Sequence, residues 1–205
     1  MWLGFLCFMK QTIPSSKKEL PLLSFKTSAQ WEKWLDKNYE NTDGIWLKIF
    51  KKDSGIKSIN YAMALDVALC FGWIDGIKKK LDEVSFIQKF TPRRARSTWS
   101  YRNTEHIQRL TTSGKMRPPG IAQVDMAKAD GRWEKAYAPQ QEAIIPEDFM
   151  KELNNNTKAR AFFDTLNRTN LFIIYYHLHQ AKTPETREKR IQRFITKLEQ
   201  REMLV

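Results

Sequence analysis

Hydrophobic positions alternate between two spacings along the chain, and the change of spacing marks its elements. Trp31, Trp34 and Leu35 recur at i, i+3 and i+4 behind Thr27-Ser-Ala-Gln30, a capping-box pattern, and predict an amphipathic helix. Asn41-Thr-Asp-Gly44 is a turn, and Ile45–Lys51 reads as a strand of β-branched and aromatic residues. Asp53-Ser-Gly55 turns the chain again. A helix over Tyr61–Phe71 follows, with Ala62, Leu65, Leu69 and Ala68 able to face a sheet and Gly72 as its terminator. Trp73–Ile77 and Ser85–Phe90 predict two strands joined by a polar connection over Lys78–Glu83, with Pro92 ending the second.

Beyond Pro92 the spacing becomes helical throughout. Ser100 or Asn103 can cap a helix through Ile107 and Leu110 that Gly114 stops. A second runs over Ile121–Ala129 and closes at Asp130-Gly131. Trp133 and Tyr137 pin a linker to about Ile144. Pro146 suits a first helical position, Thr157 and Thr169 can cap the helices Lys158–Leu166 and Asn170–Ala181, and Thr183-Pro-Glu begins a long last helix. In that helix Ile191, Phe194, Ile195 and Leu198 form one apolar stripe. The expected fold class is α+β: a small mixed or antiparallel sheet flanked by helices over 27–140, followed by an all-α helical domain over 145–202.

Composition agrees with a folded chain. Of 205 residues, 41% are apolar and 12% aromatic, enough for a real core. Lys and Arg number 35 against 23 acids, a net charge of +12 that favours an anionic partner. The two cysteines, Cys7 and Cys70, are too few and too far apart for a disulfide framework or a zinc site, which suits a reducing compartment. Cys70 lies in an apolar pattern and reads as a small buried hydrophobe.

Residues 1–26 are expected to be a leader. The first nine are apolar, without a preceding cationic region, and much shorter than the roughly 20 residues of a membrane span. The expected true start is Met9, with 1–8 as an upstream extension. No stretch is long enough to span a membrane, and the expected location is the cytoplasm.

The candidate chemistry gathers in one supersecondary unit. Between residues 77 and 117 stand eleven basic and three acidic residues, which hold eight of the twelve net positive charges. Arginine's planar fork matches phosphate or carboxylate, and Trp73, Trp99 and Tyr101 offer flat faces for stacking. The expected ligand-binding set is Trp73, Asp75, Arg93, Arg94, Ser97, Trp99, Ser100 and Asn103: arginines grip, the serines and Asn103 donate, and a tryptophan forms a wall. The helix starting near Ser100 would add its free N–H groups. The same residues also fit a purely architectural role, with Asp75 paired to Arg93 or Arg94, the tryptophans in the core and the serines as caps. Lys78-Lys-Lys80 reads as a solvated turn. The last helix, which alternates Arg and Lys with Glu, reads as a solvent face laced with i,i+4 pairs.

No metal site is expected, because the three histidines lack ligand spacing, and no cofactor, because nucleotide and hydrolase motifs are absent. His106 could serve as a base, although nothing in sequence orients it.

Ala68-Leu-Cys-Phe-Gly-Trp-Ile-Asp-Gly76, Phe90-Thr-Pro-Arg-Arg94 and Ser97-Thr-Trp-Ser100 with Asn103 resemble the YdeI/OmpD-associated family, also called bacteriocin-protection-like. Gly114-Lys-Met-Arg117, Ala127–Trp133 and the tail from Ile145-Pro-Glu-Asp through Ile191 extend the resemblance over roughly 27–200. The resemblance implies bacterial resistance to bacteriocins and cationic peptides and a link to an outer-membrane porin, and it supplies no catalytic residues. Three functions stand open: a binding or stress-protection protein with an anion pocket, a nucleic-acid binder using the 77–117 surface, and an enzyme on a phosphorylated or carboxylated small molecule with Asp75 or His106 as base. The enzyme needs a concave pocket and an Asp75 free of arginine.

Overall fold

The computed structural model describes residues 19–204; the expectations about Met9 and residues 1–8 lie outside them. The order is β1 (Leu22–Ser24), α1 (Ser28–Asn38), β2 (Ile45–Phe50), a short 3₁₀ turn at Lys52–Ser54, α2 (Tyr61–Cys70), β3 (Trp73–Lys80) and β4 (Ser85–Pro92). Six helices follow: α3 (Tyr101–Thr112), α4 (Pro118–Ala129), α5 (Glu147–Asn154), α6 (Thr157–Phe163), α7 (Arg168–His179) and α8 (Pro184–Glu199). The fold class is α+β, a four-stranded mixed sheet followed by helices.

The sheet order is β1-β2-β4-β3, with β1 parallel to β2 and the other pairs antiparallel. β1 falls in the stretch expected to be leader; three residues after Pro21 carry too short a pattern to announce a strand. β3 runs through the lysine triplet instead of ending at Ile77, because an edge strand has a free side that solvates charged residues. A register shift between Asp75 and Lys78 bends it.

The caps explain the helix starts. The Thr27 hydroxyl accepts from Gln30 N at 3.3 Å, and the Gln30 amide oxygen accepts in turn from Lys26 N at 2.8 Å. Asn60 caps α2 through Met63 N at 2.9 Å. Asn156 and Asn167 cap α6 and α7, so each begins earlier than Thr157 or Thr169 would have placed it, and Pro146 stands as the cap of α5 rather than inside it. α4 begins at Pro118, whose missing N–H costs nothing in a first turn. The buried stripe of α2 is Ala64, Leu65, Ala68 and Leu69, and Ala62 is exposed.

Two hydrophobic cores form. One joins Trp31 and Leu35 of α1, the α2 stripe, the inward residues Ile45, Leu47 and Ile49 of β2, Phe90 of β4, and Ile107, Leu110, Val124 and Ala127 of α3 and α4. The other gathers Phe149, Leu153, Phe163, Ile174 and Leu178 with the predicted α8 stripe Ile191, Phe194, Ile195 and Leu198. α2 and α4 touch so closely that a Cβ at Gly120 would sit 2.2 Å from the Cys70 carbonyl oxygen. Gly72, at φ +71°, turns the chain from α2 into β3 in the left-handed region that glycine tolerates.

The segment after α4 links the cores. Tyr137 packs edge-on to Tyr176 at 5.0 Å between ring centroids and lies 6.3 Å from Phe172. Ala138 N donates to the Tyr175 hydroxyl at 2.8 Å, and His179 Nε2 lies 2.9 Å from the Lys135 carbonyl.

Candidate functional site

The β3 edge, the ends of α2 and α3, the 137–141 segment and α7 enclose a cavity of about 630 Å³. Four expected residues line it: Asp75, Arg93, Ser100 and Asn103. Tyr61, Arg102, His106, Tyr137, Gln140 and Phe172 line it too. The other four expected residues lie elsewhere. Trp73 is a core residue whose indole N–H donates to the Tyr39 carbonyl at 3.3 Å. Trp99 is buried behind Arg93 rather than forming a cavity wall. Arg94 points to solvent, and Ser97 supports Arg93 from outside.

Arg93 is the centre of the arrangement. Pro92 ends β4 and turns the chain, so the next side chain enters the protein rather than the ladder. Its guanidinium carbon lies 3.5 Å from the centre of the Trp99 ring, a cation–π stack, and only 6% of the residue is exposed. Nη1 donates to the Thr98 carbonyl at 3.1 Å and the Ser97 hydroxyl at 3.4 Å. Nε and Nη2 are buried and have no hydrogen-bond partner among the described residues. Burial pulls the Arg93 pKa down to about 10, against the opposing pull of Tyr137 and Asp75, so the group is a cation at neutral pH.

Asp75 accepts from the Tyr61 hydroxyl at 2.7 Å. Burial and this carboxylate push the Tyr61 pKa far above its ordinary value, which keeps the phenol protonated as a donor. Among the described residues, no arginine lies within ion-pair distance of Asp75; the expected Asp75–Arg93 or Asp75–Arg94 pair does not form. His106 Nδ1 lies 2.8 Å from Asp66 Oδ1, and Arg109 Nη2 lies 2.6 Å from the same oxygen. Sequence reasoning had no partner for His106 because Asp66 sits forty residues away on α2.

The α3 N-terminus is largely spoken for. Tyr101 N donates to the Tyr137 carbonyl at 2.9 Å, and Asn103 N donates to the Ser100 hydroxyl at 3.2 Å. Side chains, rather than the expected row of free N–H groups, therefore supply most of the cavity's polarity. Tyr137, Gln140 and Phe172 were missed as lining residues because nothing local announces a wall built from the linker and from α7.

A smaller cavity of about 360 Å³ lies between α1, α2 and α3. Arg117 is matched to Glu32 at 2.5 Å and Asp66 to Arg109, and Lys115 is exposed, so the cavity wall holds no buried free group comparable to Arg93. Burial pushes the thiol of Cys70 on its wall up to about 11, which leaves it protonated.

The basic 77–117 segment does not form one stripe. Arg93 is buried, Arg109 and Arg117 are ion-paired, Lys80 contacts Glu83, and Arg102 faces the cavity. Lys79 and Lys89 lie on the sheet. No group of acidic, histidine or cysteine side chains among the described residues could hold a metal ion, and no helix there is long and apolar enough to cross a membrane.

Residues 142–201 match the family described as Bacteriocin-protection, YdeI or OmpD-Associated. Residues 23–123 match a separate domain of unknown function (DUF8412), so the family's match is confined to the C-terminal part instead of running from 27 to 200. No curated protein and no solved structure matches the chain.

Proposed function

We propose that this chain, whose C-terminal residues 142–201 match the YdeI/OmpD-associated family, binds a small phosphate- or carboxylate-bearing molecule in the 630 Å³ cavity. One observation carries the reading: a buried, charged guanidinium in the cavity wall with two N–H-bearing nitrogens that no described residue accepts from. Unused buried donors are costly, and an anion is the partner that satisfies them best. Arg102 and Asn103 extend the grip toward the cavity mouth. Tyr61 and Asp75 offer an acceptor for a hydroxyl or ammonium elsewhere on the same molecule. The family's description suggests a place in bacteriocin protection, and the cavity gives that role a ligand class.

Calorimetric titration with inorganic phosphate and with acetate tests the reading. One of the two should bind, and Arg102→Ala should weaken it about 10-fold, the loss of one charge-assisted hydrogen bond. Absence of binding by both anions, or binding indifferent to Arg102, would overturn it. In cells, a chain carrying Arg93→Met should protect against a bacteriocin no better than an empty vector.

A second reading, acid–base chemistry on the bound anion, is favoured by an Asp75 free of arginine and a His106 held by Asp66 at 2.8 Å. It requires turnover of a phosphorylated or carboxylated small molecule that Asp75→Asn or His106→Gln abolishes while phosphate or acetate still binds.

A further inference from the structure

The sheet has two unlike faces. α1 and α2 cover one, packing on Ile45, Leu47, Ile49 and Phe90. The register sets the other: Leu22 beside Trp46 beside Lys89, then Ser24 beside Lys48 beside Ile87 beside Lys79, with Phe50 following on β2. Trp46, Phe50 and Ile87 are partly buried and belong to neither core, whereas Phe86, one position from Ile87, packs inward. Leu22 is 51% exposed. This face presents two aromatic rings and three lysines.

The cations already lie close to the rings. Lys79 Nζ is 5.1 Å from the centre of a Trp46 ring, and Lys48 Nζ is 4.8 Å from that of Phe50. Asp75 is the one acidic residue in the four strands, and its row-mates Phe90 and Ile45 face the core. Lys48 contacts Asp82 of the β3–β4 turn at 3.4 Å, which leaves Lys79 and Lys89 without an acidic partner among the described residues. Gly76, beside Lys89, adds no side chain and keeps the face flat.

We propose that this sheet face binds single-stranded nucleic acid, with bases stacked on Trp46 and Phe50 and phosphates neutralised by Lys79 and Lys89, the two lysines that no acid already holds. Charge selects the occupant: an apolar protein surface gains nothing from the unpaired lysines, whereas a polyanion with flat bases uses both features of the face. A duplex keeps its bases stacked inward and cannot use the rings. Lysine, a point charge rather than a reading fork, predicts little sequence preference. The site is separate from the cavity, which opens at the β3 edge beside α2 and α3.

Fluorescence anisotropy of the full chain with a labelled 20-nucleotide oligo(dT) tests it. The logarithm of affinity should fall with the logarithm of salt concentration at a slope of about −1.4, since each single-strand phosphate contact contributes about −0.7. Trp46→Ala should weaken binding about 10-fold and Trp46→Phe should restore most of it. Lys79→Ala should flatten the slope by about 0.7. Arg93→Met should leave oligonucleotide affinity unchanged, so this proposal and the anion cavity fail separately. Trp46 lies outside both cores, and an unchanged melting temperature confirms that its variant is folded. Equal affinity for a 20-base-pair duplex, indifference to Trp46, or binding only to anionic phosphatidylglycerol vesicles would overturn the proposal.

Discussion

Arg93 shows how far a residue type can announce chemistry. An arginine after a strand-ending proline, amid serines and tryptophans, suggested an anion pocket, and Arg93, Asp75, Ser100 and Asn103 do share one cavity. The neighbouring Arg94 carries the same chemistry in sequence but points outward, because successive side chains leave the backbone in different directions. The two tryptophans misled for a related reason: their size favours burial as strongly as their flat faces favour ligands. The buried guanidinium also makes a sharp prediction. Arg93→Met keeps an apolar stem against Trp99 and removes a buried charge with two unused donors. It gives up the bonds from Nη1 to Thr98 and Ser97. Replacing a poorly satisfied buried ion with an apolar chain is typically neutral or stabilising. The variant should melt within about 3 °C of the parent, a shift of roughly 1 kcal/mol in a chain of this size, yet lose phosphate or acetate binding by calorimetry. A fall of 8 °C or more would mean that Arg93 chiefly supports the fold.

Among the elements, those with long apolar periods were legible and those defined by edges were not. The α8 stripe Ile191, Phe194, Ile195 and Leu198 is buried as its spacing required. β1 was hidden by its length and β3's extent by its lysines, since an edge strand need not alternate. The charged face of α8 was expected to hold i,i+4 pairs, yet its arginines reach other helices. Arg187 grips both oxygens of Asp148 on α5, at 2.5 and 2.8 Å, and donates to the Leu178 carbonyl on α7; Arg190 donates to the His177 carbonyl. These bonds tie α8 to α5 and to the end of α7. The Arg187 bonds hold the Asp148 carboxyl below its ordinary range. A carboxylate with a lowered folded pKa stabilises fully above its unfolded value, about 4, and loses that contribution as the pH falls through the lowered one. Asp148→Asn should therefore cost about 2 °C at pH 7, because a half-exposed pair contributes about 0.5–1 kcal/mol. The gap in melting temperature should stay constant above about pH 5 and close below about pH 4. A gap that persists unchanged at pH 2.5 would assign the effect to packing.

At the scale of the molecule, the cavity belongs to neither core alone. Its floor comes from Asp75 of β3 and Arg93 just after β4, and part of its wall, Phe172, comes from α7 in the second core. Sequence reading placed Tyr137 in a linker but could not reveal that its ring meets Phe172 and Tyr176, because the match joins positions 35 and 39 residues apart. The bridge includes these three rings, the Ala138–Tyr175 hydrogen bond, the His179–Lys135 and Gln140–Thr169 contacts, and those of Arg168 with the Gln140 and Gln141 carbonyls. The two cores share no buried member among the described residues, so the bridge decides whether the two unfold together. Aromatic pairs contribute about 0.5–1.5 kcal/mol each beyond their buried area, enough for three rings to couple two modest cores. Differential scanning calorimetry of the full chain should show one transition. Phe172→Ala with Tyr176→Ala, both on the half-buried face of α7, should split it into two and weaken the bound anion several-fold by opening the cavity wall. One unsplit transition with undiminished binding would place the coupling in the backbone contacts instead. Two transitions with undiminished binding would show that the cavity depends on the sheet side alone.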